Sequence, residues 1–244
     1  MTDSSVSELF CCNNSLNSIT DLESNHRYPF ESYTKKVTNM KRKISVFDWI
    51  APIYGLFYKR QIRQFQKVID QLSSKIDFSD GQTAIDVGCG TGALCSVLSD
   101  KDLTVSGADP SGAMLKVAER KKGNRSIAFT RANALERMPF EDGSFDLTFT
   151  SYVLHGLKAV DRKTMYAELG RITKGYVIIN DYNEKRAFHT TLIEWLEGGD
   201  YFGFIKHAPE EIGRAFSQVR TVTVGPRAVC YICKPFSKDN RNSL

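Results

Sequence analysis

The fold class predicted by this sequence is α/β, a Rossmann-like three-layer sandwich whose seven-stranded sheet is mostly parallel and finishes on an antiparallel terminal strand. Three observations predict it. An apolar strand, Thr83-Ala84-Ile85-Asp86-Val87, runs into the alternating glycines Gly88, Gly90 and Gly92, an arrangement that turns a strand sharply into a helix and leaves the backbone open to a ligand. A second strand, residues 103–109, ends on Asp109, about 20 residues beyond the glycines, where a ribose-binding carboxylate belongs. Strands and helical stretches then alternate until residues 219–224, a turn at Gly225-Pro226 and residues 228–233 close the chain as a hairpin.

Taken in order, residues 1–40 are rich in Ser and Asn without a sustained period and read as a disordered tail. Residues 41–78 form a helical lead-in and lid, bent at Pro52 and continuing through Leu56, Ile62, Phe65, Val68, Ile69 and Leu72 at near-helical spacing. The main domain spans residues 79–234, and 235–244 are a polar tail. Within the domain, Ser111 caps a helix that stops near Arg120-Lys121-Lys122-Gly123. Residues 126–131 are the third strand, and 145–150 the fourth, entered by a turn at Asp142-Gly143. A helix over 161–172, a short loop Thr173-Lys174-Gly175 and a fifth strand over 176–181 follow. Aromatics surround a glycine-rich turn in 191–204, and a helix runs from Pro209 to Phe216.

The glycine spacing alone does not choose a ligand, since Gly88, Gly90 and Ala93 also satisfy a loose dinucleotide fingerprint. Asp86 does choose. A carboxylate beside the turn repels a pyrophosphate and suits a cofactor carrying an ammonium and a sulfonium. Asp109 is then the ribose ligand. The fourth strand ends at the ligand crevice, so Ser151 and Tyr152 line it.

These motifs, with Met138-Pro139-Phe140-Glu141-Asp142-Gly143-Ser144-Phe145-Asp146-Leu147, resemble the class I S-adenosylmethionine-dependent methyltransferases over about residues 45–180. Ser45-Val46-Phe47-Asp48-Trp49-Ile50-Ala51-Pro52-Ile53-Tyr54 further resembles the first segment of the quinone-biosynthesis C-methyltransferases and their small-molecule relatives. The resemblance implies an enzyme that moves a methyl group from S-adenosyl-L-methionine to a small-molecule acceptor; the polar N-terminus and the lack of a bilayer-spanning apolar run read as cytoplasmic. Its cofactor would be held by Asp86, Gly88, Cys89, Gly90, Gly92, Asp109, Pro110, Met114, Asn133, Ala134, Ser151 and Tyr152. Asn133 stands where relatives usually carry Asp at the adenine, and its amide oxygen still accepts a hydrogen bond. No catalytic residue is assigned; His155, His207 and Tyr54 are the candidates. Relatives often have a second histidine where Gly156 stands, a departure that weakens the case for a base, and His155 reads more readily as a capping or packing residue than as a base or acceptor ligand. Tyr54 and Tyr58 read as lid residues over the cofactor or as packing residues; Asp181, Tyr182 and Asn183 as acceptor contacts or turn formers. Tyr201 and Trp195 read as pocket residues or as a helix end packed on the sheet.

Two alternatives share parts of this pattern. A nicotinamide-dependent oxidoreductase would use the glycine loop and Asp109, but Asp86 and the absence of a Tyr-x-x-x-Lys pair after the fourth strand oppose it. A catalytically silent S-adenosylmethionine-binding module would keep both acids and lack an acceptor pocket.

Composition narrows the rest. With 244 residues and 41% hydrophobic content, the chain can bury one substantial core in one domain. No apolar run is long enough to span a bilayer. The net charge of +5 is spread over Lys41-Arg42-Lys43, Lys59-Arg60 with Arg63, and Arg120-Lys121-Lys122, which read as solvated helix faces and not as a nucleic-acid surface. An Asn-Pro-Pro-Tyr-type tetrapeptide, frequent in nucleobase and amide methylases, is absent after the fourth strand. The six cysteines make no disulfide framework in such a chain. Cys230 and Cys233 lie three apart on a strand and point to opposite faces, so no metal site is expected there.

Overall fold

The computed structural model describes residues 55–79, 81–184 and 200–237. The predicted tail 1–40, the lead-in as far as Pro52 and Tyr54, Trp195 with the rest of 185–199, and residues 238–244 lie outside the described residues. The elements are α1 (Tyr58–Leu72), β1 (Thr83–Val87), α2 (Ala93–Ser99), β2 (Thr104–Asp109), α3 (Gly112–Glu119), β3 (Ala128–Arg131), β4 (Phe145–Ser151), α4 (Ala159–Ile172), β5 (Thr173–Tyr182), α5 (Tyr201–Ala215), β6 (Gln218–Gly225) and β7 (Ala228–Lys234).

One seven-stranded sheet has the order β3-β2-β1-β4-β5-β7-β6. β1 to β5 pair in parallel, and β7 inserts antiparallel between β5 and β6. The last strand among the described residues is thus the antiparallel one, and it sits one place in from the edge of the sheet. The order reverses at β1, whose neighbours are β2 and β4. A crevice opens at the carboxyl ends of strands at such a reversal.

Both faces of the sheet are covered, so its central strands carry apolar residues in succession. On one face Ala84, Leu147, Phe149 and Ile178 pack with Val68, Ile69 and Leu72 of α1 and Leu94 and Leu98 of α2. On the other, Ile85, Val177 and Ile179 pack with Met165 and Leu169 of α4 and Phe204 and Ile212 of α5. Cys230 belongs to the first layer and Cys233 to the second, as the two-residue period of a strand requires. No helix among the described residues is long and apolar enough to cross a membrane.

Three boundaries differ from those the sequence predicts. Leu56 precedes α1, which begins at Tyr58, lies outside its apolar stripe and is 81% exposed. The loop expected at Thr173-Lys174-Gly175 is strand: β5 starts where α4 stops. The Thr173 hydroxyl accounts for the abrupt change, donating to Leu169 O at 2.6 Å and lying 2.6 Å from Thr148 Oγ1. α5 begins at Tyr201, not Pro209, which sits inside it. Asp200 caps this helix by accepting from Gly203 N at 3.2 Å. Burial of Tyr201, Phe204, Ala208 and Ile212 on one stripe outweighs the hydrogen bond that Pro209 cannot make.

α4 and α5 are joined by a buried cation that no periodicity reveals. The Arg162 side chain is 1% exposed, donates to both Glu211 oxygens at 2.7 Å, and reaches Leu157 O at 2.7 Å and Asp200 Oδ2 at 3.1 Å. Its guanidinium also lies 5.6 Å from the Phe204 ring centroid.

Candidate functional site

The loop after β1 is built by glycines with separate tasks. Gly88 has φ +79, and a Cβ there would lie 2.5 Å from Val153 Cγ2, so the loop and the segment after β4 touch through bare backbone. Gly90, at φ +52, has nothing within 4 Å of its would-be Cβ and faces open space. The loop is tied to β2: Gly88 N and Cys89 N donate to Ala108 O at 2.7 and 3.1 Å, and Gly90 N to Asp109 Oδ2 at 2.9 Å.

The two acids predicted to carry the site lie on either side of this loop with different surroundings. Asp109 is 8% exposed, and its second oxygen, Oδ1, accepts from Ser111 N at 2.8 Å. Asp86 is 2% exposed; its Oδ1 has no hydrogen-bond partner among the described residues, and Oδ2 receives the weak S–H of Cys95 at 3.8 Å. Burial, with Asp109 as a second negative charge nearby, pushes the Asp86 carboxyl up from 3.8 to about 7. A buried carboxylate oxygen with no partner is costly in free energy. Such a group fits a ligand that brings a cation.

Pro110 accepts from Arg131 Nε at 3.1 Å, and Ser111 Oγ caps α3 by accepting from Met114 N at 3.1 Å, leaving Met114 buried beneath the turn. Asn133 Oδ1 accepts from Leu135 N at 3.1 Å within its own turn, and Ala134 is buried in the second apolar layer. Cys89 packs in the first layer, its thiol raised chiefly by the neighbouring Cys95 and by burial. Ser151 ends β4, and Tyr152 follows with φ +56, a conformation rare for a bulky residue. Burial first, and the Asp181 carboxylate second, push its phenol up.

α1 lies across this crevice through residues that apolar periodicity does not single out. Thr91 Oγ1 donates to Gln61 Oε1 at 3.2 Å, and Gln64 Nε2 donates to the Tyr152 hydroxyl at 2.8 Å. The signal available was two glutamines at i, i+3 on the side of the helix that carries Phe65 and Val68. Tyr58 is a packing residue: its hydroxyl donates to Asn124 Oδ1 at 3.1 Å, and Lys121 Nζ lies 4.8 Å from its ring centroid.

His155 occupies a 3₁₀ turn, Leu154–Gly156, and its Nδ1 is 2.8 Å from Asp181 Oδ1. Tyr182 packs between Tyr152 and His155, with centroid distances of 5.0 and 4.8 Å, and Tyr201 joins at 5.7 Å from Tyr182. Asp181 is buried among backbone amides, whereas Asn183 fastens the β6–β7 turn, its N–H donating to Arg227 O at 3.1 Å. His207 stands exposed on α5, apart from these ring contacts. Among the described residues no group of three or more His, Cys, Asp or Glu side chains is arranged to hold a metal.

Comparisons with known proteins agree with this geometry. Residues 85–179 match the family described as a methyltransferase domain. A demethylmenaquinone methyltransferase of Renibacterium salmoninarum is 30% identical over 161 residues, covering 62% of this chain and 64% of that protein. The chain therefore spans just under two thirds of that relative's length. Among solved structures, a methyltransferase from Aquifex aeolicus described as S-adenosylmethionine-dependent superposes with a TM-score of 0.55 at 20% identity, over 67% of this chain and 87% of that one. A phosphoethanolamine N-methyltransferase of Haemonchus contortus, solved with S-adenosylhomocysteine, gives 0.57 at 16% identity, over 70% and 53%. At these identities the two structures speak for the fold.

Proposed function

We propose, for a chain whose residues 85–179 match a methyltransferase domain, that it is a class I S-adenosylmethionine-dependent methyltransferase and moves a methyl group from S-adenosyl-L-methionine to a small-molecule acceptor. The observation that carries this reading is the partnerless oxygen of buried Asp86, beside a loop whose Gly90 faces open space. Both features suit a ligand bearing a positive ammonium. When bound, S-adenosylmethionine supplies an electrophilic methyl on a sulfonium. In this reading Asp86 balances the ammonium, Asp109 accepts from the ribose hydroxyls, and the turn at Asn133-Ala134 with Met114 and Pro110 borders the adenine. Gly88, Cys89, Gly90 and Gly92 lend backbone, and Ser151 and Tyr152 bound the side toward the acceptor.

What the chain must otherwise do is align the acceptor and keep water out. α1, fastened through Gln61 and Gln64, serves both ends. The acceptor is read as small because aromatic rings of Tyr152, Tyr182 and Tyr201 border the crevice, and because curated relatives carry quinone-pathway names. A pyrophosphate cofactor is disfavoured by the same Asp86 charge.

Asp109→Ala tests the assignment. Loss of the ribose contacts is expected to weaken S-adenosylhomocysteine binding about tenfold to a hundredfold by calorimetry, the value of one hydrogen bond to a charged group. Unchanged affinity would remove Asp109 from the site.

A further inference from the structure

We infer that the outer face of α1, with the two residues before it and the basic end of α3, is a docking surface for an anionic phospholipid bilayer. Residues 55–69 contain Lys59, Arg60, Arg63 and Lys67 and no Asp or Glu. The turn of the helix sorts them: Tyr58, Val68, Ile69 and Leu72 are buried, whereas Arg60, Arg63 and Lys67 share the opposite face with Lys59 at its margin, and all four cations are exposed. Among the described residues none of the four joins an ion pair. A second basic run reaches the same place. Lys121 Nζ donates to Gly55 O at 3.0 Å and lies 4.8 Å from the Tyr58 ring centroid, which brings Arg120-Lys121-Lys122 to the start of α1. Arg120 and Lys122 are exposed, and Glu119 is the one acid in residues 116–125 against five Lys and Arg. Two clusters that lie apart along the chain are therefore one patch.

Apolar surface at the same end selects a bilayer among polyanions. Leu56 is 81% and Phe57 51% exposed, two of the four large hydrophobic residues exposed among those described. Arg60 N and Gln61 N both donate to Phe57 O at 2.9 Å, which fixes this pair at the start of the basic face. A nucleic acid would engage the cations through its phosphates but has no hydrocarbon for Leu56, and the outer side of a helix is convex and gives a strand no groove to follow. A bilayer containing phosphatidylserine meets both demands. Its headgroups attract the Lys and Arg side chains, and Leu56 and Phe57 enter the boundary between headgroups and acyl chains. Gln61 and Gln64, on a flank of the same helix, border the crevice, so the docked helix is the one that lies over the candidate site.

The test is sedimentation of the full chain with vesicles of phosphatidylcholine alone and of equal parts phosphatidylcholine and phosphatidylserine. Binding is expected to the mixed vesicles only, weakening as salt is raised. Arg60→Gln with Arg63→Gln should lower the partition coefficient about tenfold to thirtyfold, and Leu56→Ser with Phe57→Ser about tenfold or more. Arg60→Lys with Arg63→Lys keeps the charge and should stay within about threefold of wild type. Melting temperatures should match that of the wild type, because every altered side chain is exposed; Lys59→Gln with Lys67→Gln, and Leu56→Ser alone, replace a double variant that does not fold. Equal binding to neutral vesicles, binding to neither kind, or binding that either folded double variant leaves unchanged overturns the proposal. Tighter binding of a single-stranded oligouridylate than of the mixed vesicles overturns it as well, and makes the patch a nucleic-acid surface. None of these measurements depends on methyl transfer, so their failure leaves the methyltransferase reading standing.

Discussion

Asp86→Asn should stabilise the ligand-free protein at pH 8 and, in the same stroke, weaken S-adenosylmethionine binding about a hundredfold. The carboxyl is pushed from 3.8 up to about 7 by burial and by Asp109. A group whose folded value is raised binds its proton more tightly when folded, so the wild type loses stability as the pH climbs from about 4 to 7. Three units correspond to about 4 kcal/mol, and Asn, which cannot ionise, avoids that cost. Its melting temperature should exceed that of the wild type by as much as about 10 °C at pH 8, with the gap closing toward pH 4. Binding runs the other way: wild-type affinity for S-adenosylmethionine should rise with pH up to about 7 as the carboxylate ionises, and the variant should show neither the slope nor the affinity. A stability gain without an affinity loss would mean that Asp86 serves the loop and not the ligand.

Arg162→Met should cost about 2–3 kcal/mol in urea unfolding, toward the low end for breaking a buried pair, because it leaves the half-buried Glu211 carboxylate, 22% exposed, without its bidentate partner. Arg162→Met combined with Glu211→Leu should recover most of the loss, since the penalty comes from the unpaired charge more than from the missing pair. If the double variant is no more stable than the single one, the cation itself supports the α4–α5 junction.

The difference between what was legible in the sequence and what was not follows from the range of the interactions. The glycine loop, Asp86, Asp109 and the Ser111 cap are local: each is defined by residues within a few positions, and all stand where the motif spacing puts them. The alternation of β7 was equally readable, and Cys230 and Cys233 do fall in separate layers. Three features needed three dimensions. The start of β5 depends on a Thr173 hydroxyl bonded back to the helix before it and across to Thr148. The length of α5 depends on an apolar stripe meeting α4, so Pro209 looked like a first helical residue when the cap is Asp200. The His155–Asp181 pair depends on strand register, which no spacing encodes. Apolar periodicity does not single out Gln61 and Gln64, because it ignores the polar residues on a helix that lies over a crevice.

The most direct test of the account is a calorimetric titration of the purified protein with S-adenosylmethionine, S-adenosylhomocysteine and NAD at pH 8. The account predicts that both adenosyl ligands bind one to one and that NAD gives no heat beyond dilution. Binding of NAD without either adenosyl ligand would contradict it, and would return the glycine loop and Asp109 to a dinucleotide.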